Sequence, residues 1–182
     1  MRDEMVPIFV WWIGEEEADP DLMEHVRLHL SRQFESPARI WTSPERPILA
    51  FDSRRRQHSS GAILRWLLEK GPPGGKVLGV TDRDLFIPIL TYVFGEAQLG
   101  GSAAVVSTFR LSEDAELFGP WILVERLAKE AIHEMGHGFG LLHCDRPGCV
   151  MGRSPAVRDV DEKSSELCEV CRAQVLAAEG GR

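Results

Sequence analysis

Between Ala131 and Met151, AIHEMGHGFGLLHCDRPGCVM, three histidines, a glutamate and two cysteines fall at spacings that metal chemistry explains. On a helix, positions i and i+4 share a face, so His133 and His137 can each aim a ring nitrogen at one ion. Glu134 then stands beside the ion without ligating it. Two neutral imidazoles hold Zn²⁺ at about 2.0–2.1 Å while the intervening glutamate deprotonates a water on the metal, the arrangement of an HExxH zinc hydrolase. A bare HExxH also occurs by chance on solvated helix faces, so the residues that follow it matter. Gly140 lies where the helix must stop, and glycine can take the left-handed backbone angles that turn a chain sharply. That turn can swing His143 round as a third ligand. Three protein ligands leave the fourth tetrahedral position open, the mark of a catalytic rather than a structural site.

HExxHxxGxxH followed by a methionine, here Met151, is the metzincin pattern. The cysteines narrow it. Cys144 follows the third histidine directly, Cys149 comes after four more residues, and Cys168-x-x-Cys171 lies downstream after a spacer of sixteen residues. HExxHxxGxxHC, four residues, CxM, a spacer and CxxC resemble the archaemetzincin family, with the last spacer slightly shorter than the family pattern. The resemblance runs from about Leu78 to Cys171. It implies an α/β (α+β) metzincin-like fold: a mixed twisted sheet packed with helices, including the HExxH helix, and a small C-terminal zinc-stabilised helical lobe. It implies a zinc metallopeptidase in which Met151 is an apolar floor beneath the histidines and not a ligand. AVVSTFRL resembles the family's edge strand, which borders the cleft and can pair with an extended substrate. Cys144, Cys149, Cys168 and Cys171 would form a second, closed zinc site with Zn–S of about 2.3 Å, adding folding free energy to a lobe with few apolar residues. A CxxC redox pair is the rival reading of the last two cysteines, but it does not account for Cys144 and Cys149.

Other elements must hold these residues in place. Val6 to Ile13 is a nearly continuous apolar run that reads as a buried strand. Asp19-Pro20 caps a helix whose Leu22, Met23, Val26, Leu30 and Phe34 recur at helical spacing. His25 and His29 share a face of it and could chelate, but no third ligand is evident. Short strands are expected at Arg39–Thr42, Lys76–Thr81, Tyr92–Phe94 and Ala103–Phe109, and a helix at Ser60–Lys70. The glycine-proline stretch from Gly71 to Lys76 fails as a phosphate loop, because the glycine spacing is short and the lysine leads into a strand. Asp82 to Asp84 read as turn-capping acids rather than a Ca²⁺ loop, and Arg54 to Arg56 as a solvated turn. A helix from Pro120 to Phe139 carries the histidines, and a last helix from about Ser164 to Ala178 carries Cys168 and Cys171. The expected organisation is one compact domain over residues 1–182, with an N-terminal part at 1–140 and a small C-terminal part at 141–182.

The 182-residue chain carries a net charge of −7, which argues against a general nucleic-acid binder. No signal-like leader or membrane-length apolar run stands in the sequence, so a cytoplasmic, unanchored monomer acting on peptides is expected. Four cysteines in an intracellular chain are more often ligands than disulfides. The expected cofactors are two zinc ions, one catalytic and one structural. The expected reaction is peptide-bond hydrolysis, as an aminopeptidase or small-peptide hydrolase, with Glu134 taking a proton from water and returning it to the leaving amine. The alternative is a weakly active or inactive metal- or peptide-binding module that keeps the site. The sole tyrosine, Tyr92, lies far upstream of the methionine, so no oxyanion-binding side chain is evident near Met151.

Overall fold

The structure, a computed structural model, describes residues 5–119 and 121–180; the expected helix start at Pro120 lies outside them. Three runs rich in Val, Ile, Leu and Ala form its centre: β1 (Ile8–Trp12), β5 (Lys76–Thr81) and β8 (Ala103–Ser107). Such runs suit strands covered on both faces, and every residue of β5 and β8 is buried. With β2 (Ala38–Trp41) and β7 (Gly95–Ala97) they make a five-stranded sheet in the order β2-β1-β5-β8-β7. The first four strands run parallel and β7 runs antiparallel to β8. A small second sheet joins β3 (Phe51–Asp52), β4 (Gln57–Ser59) and β6 (Leu85–Phe86).

Helices cover both faces of the large sheet. On one side α1 (Pro20–Phe34) and the long helix that carries the histidines pack together, with Val26, Leu30, Leu127 and Ala131 fully buried against Val10, Leu78 and Ala104. The Asp19 carboxylate caps α1 by accepting from the Asp21 and Leu22 amides, with Pro20 at the first position. On the other side α2 (Ser60–Lys70) sets Ile63, Leu64 and Leu67 against Trp11, Val77 and Val105. Short α3 (Thr108–Leu111) and α4 (Ala115–Phe118) lead into α5 (Trp121–Gly138). After α5 come α6 (Val157–Glu162) and α7 (Glu169–Gly180). Val150, Met151, Val160, Leu167, Cys171 and Val175 of this final stretch join the apolar cluster of α1 and α5.

Four expectations change. β8 is not the edge strand: it lies between β5 and β7, and the edge belongs to Gly95–Ala97. The sequence hides this because β7 is three residues long with no alternation, while the run of β8 is apolar enough to need cover on both sides. β8 also stops at Ser107, whose hydroxyl accepts from the Phe109 amide and starts a helical turn. Tyr92–Phe94 contributes a single bridge from Val93 to Leu85 ahead of β7. Finally, α7 begins at Glu169, so Cys168 precedes the helix and only Cys171 lies within it. Among the described residues no helix is long and apolar enough to cross a membrane.

Candidate metal centre

His133 and His137 stand one turn apart on α5, and each is oriented by a carbonyl. The Nδ1–H of His133 donates to the Val150 oxygen at 2.9 Å, and that of His137 to the Leu141 oxygen at 2.7 Å. Fixing Nδ1 in this way leaves Nε2 as the free lone pair and holds the ring still, as second partners of metal-binding histidines do. The two Nε2 atoms converge to 3.2 Å, close to the separation of two ligands on one tetrahedral ion at about 2.0–2.1 Å. α5 ends at Gly138, and Gly140 takes φ +90°, which reverses the chain. His143 is thereby brought back to ring-centroid distances of 5.3 Å from His133 and 4.9 Å from His137. One nitrogen from each ring lies within 4.8 Å of the others. Burial, then the charge of Lys163, push the His133 pKa well below the ordinary imidazole value. Burial, then His137 and Arg153, push His143 down as well. Both shifts favour the neutral ring that a cation requires.

Glu134 lies against the start of β7. A Cβ built on Gly95 would meet Glu134 Cγ at 2.6 Å and the Val105 carbonyl at 2.5 Å, so the approach of helix to edge strand depends on glycine there. The carboxyl is buried, and that burial, with Glu130 adding to it, raises its pKa well above the usual carboxylate value while Lys163 opposes. A carboxyl with a raised pKa is suited to accept and return a proton near neutral pH. On the other side of α5, fully buried Met151 places its sulfur so close to Gly136 that no Cβ would fit between them. Gly136 and Met151 therefore set the depth at which the segment after His143 sits beneath the helix.

Several residues around the histidines were not apparent from spacing. Lys163 and Glu130 form a buried ion pair at 2.6 Å, with side-chain exposures of 5% and 4%, and Lys163 Nζ lies 3.5 Å from His133 Nδ1. Buried Arg126 forks onto Asp161 at 2.7 Å through both Nε and Nη2 and donates to the Leu111 and Glu113 carbonyls, tying α5 to α6 and to the loop before it. Arg126, Glu130 and His133 stand at helical spacing along α5, and spacing alone names no partners. Tyr92, distant in sequence, lines the same 410 Å³ cleft as His133, Glu134 and His143. Its hydroxyl donates to the Pro155 carbonyl at 3.3 Å, and the Arg110 guanidinium lies 4.8 Å above its ring. Only the sheet topology brings Tyr92 there, so no local pattern could have revealed it. The His25 and His29 rings do lie together, tilted with centroids 4.4 Å apart, and Glu125 stands 3.6 Å from His25. They do not belong to either of the two metal-competent clusters among the described residues.

The second of those clusters is the four cysteines. Cys144 Sγ lies 3.8 Å from Cys168 Sγ, and Cys149 Sγ lies 3.9 Å from Cys171 Sγ. Disulfides would bring sulfurs to about 2.05 Å, and all four are free thiols. Tetrahedral thiolates at about 2.3 Å from zinc stand about 3.8 Å apart, so the geometry fits the ion and not a bond. Burial alone would push Cys168 up, but the Cys171 amide and the neighbouring thiols outweigh it and bring its pKa down to about 7. Burial pushes Cys149 and Cys171 up. The Cys144 amide donates to the Met151 carbonyl at 3.0 Å, closing the loop that holds Cys149. His143 and Cys144 are neighbours in the chain and face different clusters.

Residues 73–176 match the model of peptidase family M54. An archaemetzincin of Archaeoglobus fulgidus is 40% identical over 147 residues, covering 80% of this chain and 86% of the relative. The crystal structure of the Methanopyrus kandleri archaemetzincin is similar over 100% of this chain and 99% of its own, with a TM-score of 0.83 and 29% identity. A zinc-dependent peptidase from Methanocorpusculum labreanum is similar over 92% of this chain and 99% of its own, with a TM-score of 0.78 and 30% identity. Sequence motif, sheet topology and these likenesses agree: the chain belongs to peptidase family M54, the archaemetzincins, and is a zinc-dependent metallopeptidase.

Proposed function

We propose that His133, His137 and His143 hold the catalytic zinc, that Glu134 is the proton-transferring base, and that Cys144, Cys149, Cys168 and Cys171 hold a second, structural zinc. The observation that carries this reading is the pair of Nδ1 locks, which leaves two Nε2 atoms 3.2 Å apart with Glu134 beside them. A zinc ion held by that set supplies Lewis-acid polarisation of a peptide carbonyl and acidifies a water. The protein's own groups do the rest. Glu134 takes the proton from the attacking water and delivers it to the leaving amine. β7, the sheet edge, pairs with the backbone of an extended peptide and lays it over the histidines. Met151 and Gly136 support the metal site from below, and Gly140 makes the turn that returns His143.

A cleft of 410 Å³ accommodates a few residues of peptide, which favours an aminopeptidase or small-peptide hydrolase over a processive protease. The chain acts as one domain whose parts, 1–140 and 141–182, meet at the turn after α5. Free thiols and a net charge of −7 support a cytoplasmic monomer that acts on peptides and not on nucleic acid. Native mass spectrometry tests the two-metal assignment. The wild-type chain should carry two zinc ions, His137→Ala one, and Cys168→Ser at most one; a single zinc in the wild type that survives His137→Ala would remove the catalytic site from the account.

A further inference from the structure

The cleft is lined by residues 90–95, leading into β7, by Arg153, Ser154 and Pro155, and by Glu130, His133, Glu134 and His143. Each other cation near the site is committed. Lys163 is buried on Glu130, Arg110 forks onto Asp84 at 2.9 and 2.6 Å, and Arg126 forks onto Asp161. Arg55 donates to the Leu90 and Pro88 carbonyls. Arg153 is exposed, has neither an ion pair nor a hydrogen bond among the described residues, and lines the same cleft as His143. The carboxyl groups of the cleft do not answer it, because Glu130 is held by Lys163 and Glu134 is buried against Gly95.

An exposed guanidinium left unpaired beside a metal site is an anion receptor: its planar fork matches a carboxylate with two parallel hydrogen bonds. The chain as a whole carries −7, so the long-range field does not gather anionic peptides and any preference for them must arise locally. We infer that Arg153 is a specificity-determining residue that docks a carboxylate of the substrate near the scissile bond, so that the preferred substrates are short peptides bearing that charge. The carboxylate comes either from the peptide's C-terminus or from an Asp or Glu side chain. The inference rests on the metallopeptidase site proposed above.

The test uses zinc-loaded Glu134→Ala, which binds without turnover, and the same protein with Arg153→Gln or Arg153→Lys added. Calorimetric affinities are compared for three alanine-based tripeptides: the free acid, the C-terminal amide, and the amide with one Glu. Carboxylate-bearing peptides should bind about tenfold more tightly than the neutral amide. Arg153→Gln should abolish that difference at unchanged zinc content, and Arg153→Lys should restore part of it. Preference for the free acid assigns the C-terminal carboxylate; preference for the Glu-containing amide assigns a side chain. Equal binding of all three peptides, or a preference that survives Arg153→Gln, overturns the inference. Failure of wild-type holoenzyme to hydrolyse any of them while the Arg153-dependent preference persists would instead count against the peptidase site.

Discussion

At the scale of single residues, the site depends on a few groups whose protonation is set by burial. His133 and His143 are shifted down and Glu134 is shifted up, and the two shifts act oppositely on the metal-free fold. Below about pH 6.5 the unfolded chain binds protons on histidines that the fold keeps neutral, so this contribution to stability falls with pH. Glu134 is protonated in the fold at pH values where the unfolded chain has lost that proton. Its contribution therefore rises as pH falls from its raised value towards about 4.5. With metal stripped by the same chelator, urea midpoints at pH 8 and pH 5.5 should show Glu134→Gln losing more stability on acidification than the wild type. An identical loss in both would mean that Glu134 is not protonated in the fold. The motif made His133, Glu134, His137 and His143 legible because ligand chemistry needs those types at those intervals. Lys163, Arg153 and Tyr92 were not legible, since nothing in their local pattern encodes a partner that the fold supplies from elsewhere.

At the scale of elements, the active-site helix and the edge strand meet at Gly95. Gly95→Ala sets a Cβ against the Val105 carbonyl and Glu134 Cγ, and overpacking of this kind costs about 1–3 kcal/mol. The variant should melt lower and lose kcat more than KM, because the group displaced is the carboxyl proposed to transfer the proton; unchanged kcat in a folded variant would place Glu134 outside the chemistry. Phe109→Ala, at an exposed position beyond β8, should leave kcat within about twofold as a surface substitution. The helices were legible from periodicity and caps, as at Asp19-Pro20, and so were the apolar central strands. The edge was not. A three-residue strand carries too little pattern to be read, and which strand of a sheet lies outermost is a property of the assembled topology.

At the scale of the whole molecule, the final stretch meets the active site at the His143–Cys144 peptide bond, at the Val150 carbonyl on His133 and at the Lys163–Glu130 ion pair. Cys144 is one of the four clustered thiols, and the Val150 and Leu141 carbonyls on either side of it accept from the His133 and His137 rings. Losing the zinc proposed at these thiols should therefore loosen both His143 and the carbonyls that orient the other two histidines. Cys168→Ser is expected to weaken catalytic zinc binding about tenfold or more in chelator competition, the scale seen when partners behind metal ligands are removed. It should also lower the melting temperature, and catalytic zinc affinity unchanged in that variant would show the two sites to be independent. Whether the Glu134 carboxyl carries the hydrolysis is decided by the rate of peptide hydrolysis of Glu134→Ala with its zinc content verified. Two bound zinc ions with turnover reduced by about 10²–10⁴-fold is the result expected, and wild-type turnover at full zinc occupancy would contradict it.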